Sequence, residues 1–170
     1  GYSFAGWYSD NTYSQEFTFS TMPAENIRLY AKWEPNHNTP YVVYHYRQDL
    51  ANESSYTLAD TERLTGTTNT LVTPGTKSYT GFMRPDTRSM IIAPDGSASI
   101  SYYYTRKSYY LTVDARFTAS SDPLDDYKPG DDPSEVSDYL KTIMVKYGAR
   151  VSIPSFSRNG WYIYQWSPAI

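Results

Sequence analysis

The stretch GYSFAGW opens the chain at residues 1–7, and GWYIYQW occurs near its end, at residues 160–166. In both stretches an aromatic residue follows the glycine, an apolar residue lies three positions after it, and a tryptophan lies six positions after it. The shared spacing indicates an internal repeat. We therefore expect the chain to begin inside one repeat and to end inside the next.

Alternation of apolar and polar residues extends from the first stretch through most of the chain. A period of two is typical of half-buried β-strands, and the 19 tyrosines favour strands over helices. The segments predicted as strands in the first 106 residues are 1–7, 16–19, 27–32, 41–46, 56–61, 69–72, 77–82, 90–93 and 99–105. At residues 41–46, one face is expected to carry Val43 and His45, and the other Val42, Tyr44 and Tyr46. The predicted fold class is mainly β, or α+β where a helix is added.

Composition along the chain predicts three modules. Pro35 and Pro40 bracket a polar segment without periodicity, which indicates a stiff linker at residues 35–40. The predicted modules are residues 1–34, 41–106 and 107–170.

One stretch of the third module has the signals of a helix. Asp132 is a suitable N-cap, Pro133 suits the first helical position, and Glu135 lies three residues after the cap. The apolar residues that follow have helical spacing and are Val136, Tyr139, Leu140 and Ile143. These signals predict one short helix near residues 133–146.

Three blocks in the first module carry a family resemblance: GYSFAGWYSD at residues 1–10, FTFSTMPA at 17–24 and LYAKW at 29–33. On these blocks, residues 1–33 resemble the C-terminal half of the Listeria–Bacteroides repeat, which is also known from the internalin B repeat region. The third module is similar to the N-terminal part of that repeat, with an acidic insertion at 118–143 and Gln165 in the position of Gly6. The resemblance implies a β-grasp-like fold, a secreted or cell-surface bacterial protein and no catalytic activity.

The second module resembles a different family. The segments that carry this resemblance are residues 41–46, 60–62, 66–68, 79–82, 95–97 and 102–104, which are similar to mucin-binding-protein (MucBP-like) domains. The two resemblances together imply tandem small β-grasp-like and MucBP-like modules.

Composition excludes several classes of function. The formal net charge of −3 argues against a nucleic-acid-binding surface, and the absence of cysteine excludes disulfides. No apolar run reaches the roughly 18 residues that membrane insertion requires. No catalytic or phosphate-binding motif is present. His37 and His45 lack a third metal ligand at suitable spacing, so both are expected to be exposed or half-buried.

The densest acidic stretch offers a candidate metal site. Asp125, Asp126 and Asp131 could bind Ca²⁺, because hard oxygen ligands in a loop suit this ion. The alternatives are a solvated acidic loop beside the helix cap, and a glycosidase-type carboxylate pair, which an exposed loop would not desolvate. No other cofactor is predicted.

Four tryptophans are the candidate ligand-binding residues, because Trp and Tyr rings can stack on sugar faces. They are Trp7, Trp33, Trp161 and Trp166. The alternative is that they fill small β cores, which modules poor in aliphatic residues must build from aromatic rings; this is the expectation for Trp7 and Trp166. Within residues 102–104, successive tyrosines alternate faces, so at least one must point away from its own core.

The main functional prediction is a non-enzymatic structural and adhesive segment of a bacterial cell-surface repeat protein, acting as a spacer or stalk. The alternative is an adhesin module that binds a glycan or a host protein. Neighbouring repeats are the expected partners, with host glycans or mucin in the alternative, and with no nucleic acid and no membrane insertion. The expected location is extracellular, at the cell surface or cell wall. An isopeptide bond formed by Lys32, Lys77 or Lys107 is a further hypothesis.

Overall fold

Nine β-strands make up the regular structure of the residues that the computed structural model describes, 1–114 and 140–152, and no helix occurs among them. In chain order the strands are β1 (Tyr2–Tyr8), β2 (Tyr30–Pro35), β3 (Thr39–Gln48), β4 (Tyr56–Gly66), β5 (Leu71–Val72), β6 (Met90–Ile91), β7 (Ser99–Tyr104), β8 (Ser108–Asp114) and β9 (Leu140–Lys146). The mainly β prediction is confirmed. The chain divides into two compact units, Gly1–Thr105 and Arg106–Ile170.

The first unit begins with an antiparallel hairpin formed by β1 and β2. The long connection between these strands contains one isolated bridge, between Tyr8 and Glu16. The strand predicted at 16–19 is thus reduced to this bridge and to one hydrogen bond, from the Phe17 N–H to the carbonyl of Trp7 at 2.7 Å. Residues 17–19 belong to no strand of the described part of the chain.

A three-stranded sheet in the order β4-β3-β7 forms the centre of the first unit. β3 runs antiparallel to β4 and parallel to β7, and β5 and β6 form a separate short antiparallel pair. In β3, Val43 and His45 are fully buried while Val42, Tyr44 and Tyr46 are half-buried, so the predicted division of faces is confirmed.

The hydrophobic core lies against one face of this sheet, which we call the inner face. The core residues are Tyr41, Val43, Phe82, Ile92, Ile100, Tyr102 and Tyr104. Phe82 reaches the core from a turn, in which its N–H donates to the carbonyl of Tyr79 at 3.1 Å. The strand predicted at 77–82 is therefore wrong, because residues 77–79 have no regular secondary structure and residues 80–81 form a turn that leads into an isolated bridge at Phe82.

The second unit contains the antiparallel pair of β8 and β9, in which Tyr109 is opposite Val145 and Thr112 is opposite Thr142. The helix predicted near 133–146 is wrong over residues 140–146, which form β9; the rest of that prediction lies outside the described residues. The β-branched residues Thr142, Ile143 and Val145 lose rotamer freedom in a helix, and β8 supplies partners for the backbone of this segment.

Candidate functional site

A β-bulge determines which side chains share a face of the hairpin. Phe4 pairs with Trp33 and Gly6 pairs with Lys32, so Ala5 is an extra residue in β1. Gly6 has a φ of 120°, a conformation that residues with a side chain rarely adopt. The bulge brings Phe4 and Trp7 to the same face, whereas regular alternation would place residues three apart on opposite faces.

Phe4, Trp7 and Trp33 form what we call the aromatic face of the hairpin. The Phe4 ring meets the rings of Trp7 and Trp33 edge to face, with both centroid distances at 5.5 Å. The three residues are 48%, 38% and 58% exposed, respectively. The expectation that Trp7 fills a core is therefore wrong, because the core of this unit is built against β3 and β7 instead.

The opposite face of the hairpin is polar. Lys32 Nζ lies 3.0 Å from Glu34 Oε1 and 5.5 Å from the centre of the Tyr8 ring. The hydrogen bond to Glu34, together with the charges nearby, raises the pKa of Lys32. The hairpin is thus amphipathic, and its apolar side is open in the described part of the chain.

Asp10 organises the loop that follows β1. Its carboxylate accepts hydrogen bonds from the backbone N–H groups of Thr12, Ser14 and Gln15 at 2.9 to 3.1 Å, and from the Thr12 hydroxyl. The bond from the Thr12 side chain is the largest of the effects that lower the pKa of Asp10. The loop places Tyr13 at a φ of 55°, so this carboxylate is committed to loop structure rather than to a ligand.

Asn36 joins the hairpin to the three-stranded sheet. Its N–H donates to the carbonyl of Gly1 at 2.8 Å, and its side-chain oxygen accepts the Ser3 hydroxyl at 2.6 Å. Its carbonyl accepts the N–H of Thr68 at 2.9 Å. A second contact joins the Asn69 side chain to the Tyr2 hydroxyl. Only residues 36–38 separate β2 from β3, and Asn36 is bonded both to β1 and to the segment that follows β4.

A cluster of titratable side chains lies at the inner face of the sheet. His45 is fully buried; its Nδ1 lies 2.9 Å from the Tyr104 hydroxyl and its Nε2 lies 3.2 Å from Glu62 Oε1. Burial is the main cause that lowers the pKa of His45. His37 is exposed as predicted, and its Nδ1 lies 3.0 Å from the Thr67 hydroxyl. The prediction of an exposed or half-buried histidine is wrong for His45, because β3 turns that position toward the core.

Lys77 completes this cluster. Its Nζ lies 3.0 Å from Glu62 and 3.6 Å from Asp60 Oδ2, and that same oxygen accepts the Tyr79 hydroxyl at 2.5 Å. The bond from Tyr79 is the main cause that lowers the pKa of Asp60, and the bond to Glu62 is the main cause that raises the pKa of Lys77. The sequence contained a signal for this pair of carboxylates, because Asp60 and Glu62 lie two residues apart on β4 and so share a face. It contained no signal for Lys77, which lies in the connection between β5 and β6.

The predicted calcium ligands Asp125, Asp126 and Asp131 lie outside the described residues, as do Trp161 and Trp166. Within residues 1–114 and 140–152, no group of three or more His, Asp or Glu side chains is arranged to hold a metal ion. Of the four candidate tryptophans, the structure brings Trp7 and Trp33 together, on either side of Phe4.

The hairpin, with its bulge glycine and its aromatic face, coincides with the segment that a family model recognises. Residues 1–32 match the Listeria-Bacteroides repeat domain. This repeat type is non-enzymatic and is found in bacterial surface proteins. The resemblance to this repeat family is confirmed over residues 1–32. The match ends before β3, so the MucBP-like resemblance of residues 41–105 stays a prediction.

The comparisons with curated proteins and with solved structures found no related protein. Over the described ranges, 1–114 and 140–152, the structure contains no apolar helix of the length needed to cross a membrane.

Proposed function

We propose that this chain is a non-enzymatic, load-bearing spacer segment of a bacterial cell-surface protein. The match of residues 1–32 to a repeat found in bacterial surface proteins supports the surface context. The observation that carries the mechanical role is the parallel pairing of β3 with β7, in which residues 42–47 lie beside residues 99–104.

Parallel pairing decides how this sheet responds to tension. β3 is the strand that the chain enters from the hairpin, and β7 is the strand by which it leaves the first unit. Tension along the chain pulls the start of β3 and the end of β7 in opposite directions, parallel to both strands. The evenly spaced hydrogen bonds of the pair are then loaded together rather than one after another.

The bonds of Asn36 add to this arrangement. Because its backbone is bonded to Gly1 on one side and to Thr68 on the other, the hairpin is held to the sheet beyond the covalent connection. A spacer needs such a junction, since a free linker would extend under tension and would not hold its neighbours at a fixed separation.

Single-molecule pulling tests the mechanical role. The chain lacks cysteine, so attachment sites can be introduced in pairs: Asn38→Cys with Thr105→Cys loads β3 and β7 in shear. The matched control, Asn38→Cys with Thr65→Cys, pulls on the adjacent ends of antiparallel β3 and β4 and opens that pair one bond at a time. We expect a clearly higher rupture force in the first geometry; equal or lower force would contradict the proposal.

The surface context has its own test. An antibody raised against residues 1–105 should label intact, unpermeabilised cells that produce this protein. Labelling that appears only after permeabilisation would contradict a surface location and would leave the pulling result unaffected.

A second candidate function, an adhesin that binds a glycan or a host protein, is favoured by the exposure of Trp7 and Trp33. In this case Trp33→Ala should abolish binding to a glycan array while the far-ultraviolet circular dichroism spectrum is kept. Binding that persists in Trp33→Ala would exclude the aromatic face of the hairpin as the site.

A further inference from the structure

The far side of β4 is an unpaired edge of the three-stranded sheet. β4 lies at the end of the strand order β4-β3-β7, so β3 pairs with one side of it and none of the described strands pairs with the other. β4 has 11 residues, against 6 in β7 at the opposite edge. Unpaired N–H and C=O groups along an extended strand are a template for an incoming strand. This edge can therefore accept a further strand.

A β-bulge limits the regular part of this edge to residues 60–66. His45 is opposite Asp60 and Tyr46 is opposite Leu58, so Ala59 is an extra residue in β4. A bulge bends and twists its strand, which separates residues 56–58 from the line of the edge. The hydrogen bonds that the described residues form outside their strands use none of the backbone groups of residues 60–66. We call residues 60–66 the open edge.

The open edge carries opposite charges on its two faces. On the inner face, the side chains of Asp60 and Glu62 are 43% and 32% exposed, and they share the ammonium of Lys77 at 3.6 and 3.0 Å. Burial lowers the pKa of the neighbouring His45 and favours its neutral form, so the inner face has one negative charge in excess. On the opposite face Arg63 is exposed, and it forms no salt bridge among the described residues.

This order of charges opposes pairing with a second copy of the chain. Two antiparallel strands related by a two-fold axis place residues of the same face opposite each other. Every such register that pairs Asp60 within residues 60–66 brings like charges together: Arg63 with Arg63, Glu62 with Glu62, Asp60 with Glu62, or Asp60 with Asp60. Like charges directly opposite each other destabilise a sheet. The open edge is therefore better matched to a chain of different sequence.

We propose that the open edge binds an extended, basic segment of another protein as an added antiparallel strand. Main-chain hydrogen bonds supply affinity in such a complex, and the side chains select the sequence. The complementary segment has a glutamate opposite Arg63, a lysine opposite Glu62 and a second lysine opposite Asp60, with one residue between the lysines. This inference goes beyond the spacer role, because the strands loaded in that role are β3 and β7.

The test is a ¹H–¹⁵N NMR titration of the whole 170-residue chain with the acetylated and amidated peptide TVEKTKT. We expect shift changes centred on the amides of residues 60–66. The control peptide TKKVETT has the same composition, but its lysines are adjacent and so point to opposite faces of a strand. It should bind at least about fivefold more weakly. Equal binding of both peptides, no binding of TVEKTKT at millimolar concentration, or shift changes centred on another strand would overturn the proposal.

A charge exchange at Arg63 separates register-specific pairing from a general attraction between a basic peptide and an acidic chain. Arg63→Glu makes the chain more acidic, so general attraction would tighten the binding of TVEKTKT. Register-specific pairing predicts binding that is about two- to tenfold weaker, and recovery with TVKKTKT, in which lysine replaces the glutamate. Arg28→Glu is the matched control, because it makes the same change of charge at an exposed residue outside the strands. Tighter binding of TVEKTKT in Arg63→Glu, or equal weakening in both variants, would refute the register.

Two further measurements keep the result clear. Arg63→Gln removes the charge without adding another, so a smaller loss of affinity is expected, and this variant serves if Arg63→Glu disturbs the fold. Without peptide, hydrogen exchange of residues 60–66 should be independent of protein concentration. Protection of these amides that increases with protein concentration would assign the open edge to a second copy of the chain instead.

Discussion

The hydroxyl of Tyr104 accepts the backbone N–H of Lys77 at 2.8 Å and lies 2.9 Å from Nδ1 of His45. With that acceptor position filled, the hydroxyl proton is free to be donated to Nδ1. The proton of the neutral imidazole then lies on Nε2, which is 3.2 Å from Glu62. A second proton on Nδ1 would point at a hydroxyl that already receives one donor, so this geometry and burial both favour neutral His45.

Stability of the first unit should therefore decrease as pH falls below the ordinary histidine pKa of about 6.5. The pKa of His45 is lowered in the folded state, so the unfolded chain binds more protons between the two pKa values. Stability is fully present above the unfolded pKa and declines through this window. Urea unfolding should give a lower free energy of unfolding at pH 5.0 than at pH 7.5. In His45→Gln the difference in this free energy between the two pH values should be smaller. The matched control His37→Gln should keep the wild-type difference; an equal loss in both variants would contradict the prediction.

Lys77 should carry no isopeptide bond. Its pKa is raised and that of Asp60 is lowered, so the pair is held as an ammonium and a carboxylate, and a protonated amine is not a nucleophile. Intact mass spectrometry should return the mass of the unmodified sequence. A mass lower by one water, abolished in Lys77→Arg, would show that condensation with a carboxylate occurs after all.

Gly6→Ala should destabilise the hairpin. The φ of 120° is strained for any residue with a side chain, and a Cβ would lie 3.1 Å from Glu16 Oε1. The expected cost is about 1–3 kcal/mol, measured by chemical unfolding followed by tryptophan fluorescence. Gly75→Ala is the matched control, because a Cβ there would meet no atom within 4 Å. A cost at Gly6 no larger than that at Gly75 would show that the bulge tolerates a side chain.

Asp10→Ala should loosen the loop after β1. Removal of the carboxylate leaves the amides of Thr12, Ser14 and Gln15 without their acceptor, so their hydrogen exchange should become faster. Asn11→Ala, a change at an exposed neighbour that accepts none of these bonds, should leave exchange unchanged. Because the pKa of Asp10 is lowered in the folded state, the same amides should lose protection in the wild-type protein as pH falls below about 3.8. Unaltered exchange in Asp10→Ala would refute the role assigned to this carboxylate.

The alternation of apolar and polar residues correctly predicted those features of the strands that depend on local backbone geometry alone. It correctly assigned Val43 and His45 to one face of β3 and Tyr44 and Tyr46 to the other. It also predicted that Tyr102, Tyr103 and Tyr104 point alternately to the two faces of β7. It failed where one residue changes the register, since the extra residue at Ala5 moves Trp7 to the face of Phe4. A period of two cannot foresee a bulge, although Gly6 was the available signal.

Pairing between distant segments was the other source of error. Residues 140–146 have the spacing of a helix, but they pair with β8 as a strand. The spacing of apolar residues in one segment does not show which distant segment will pair with it. The burial of His45 likewise depends on Tyr102 and Tyr104 from β7. The stacking of Tyr46 on Tyr103 could not be predicted either, because it depends on the parallel register of β3 and β7, which connects segments that lie far apart in the sequence.

The parallel register of β3 and β7 also determines when the first unit can fold during synthesis. Residues 42–47 emerge from the ribosome long before residues 99–104, and β3 gains its second neighbour only when β7 has appeared. Until then Val43 and His45 lack the tyrosines that bury them, so the growing chain remains without its core. For the surface location that we propose, this delay would keep the chain unfolded until export, because the core is completed by the last strand of the unit to arrive.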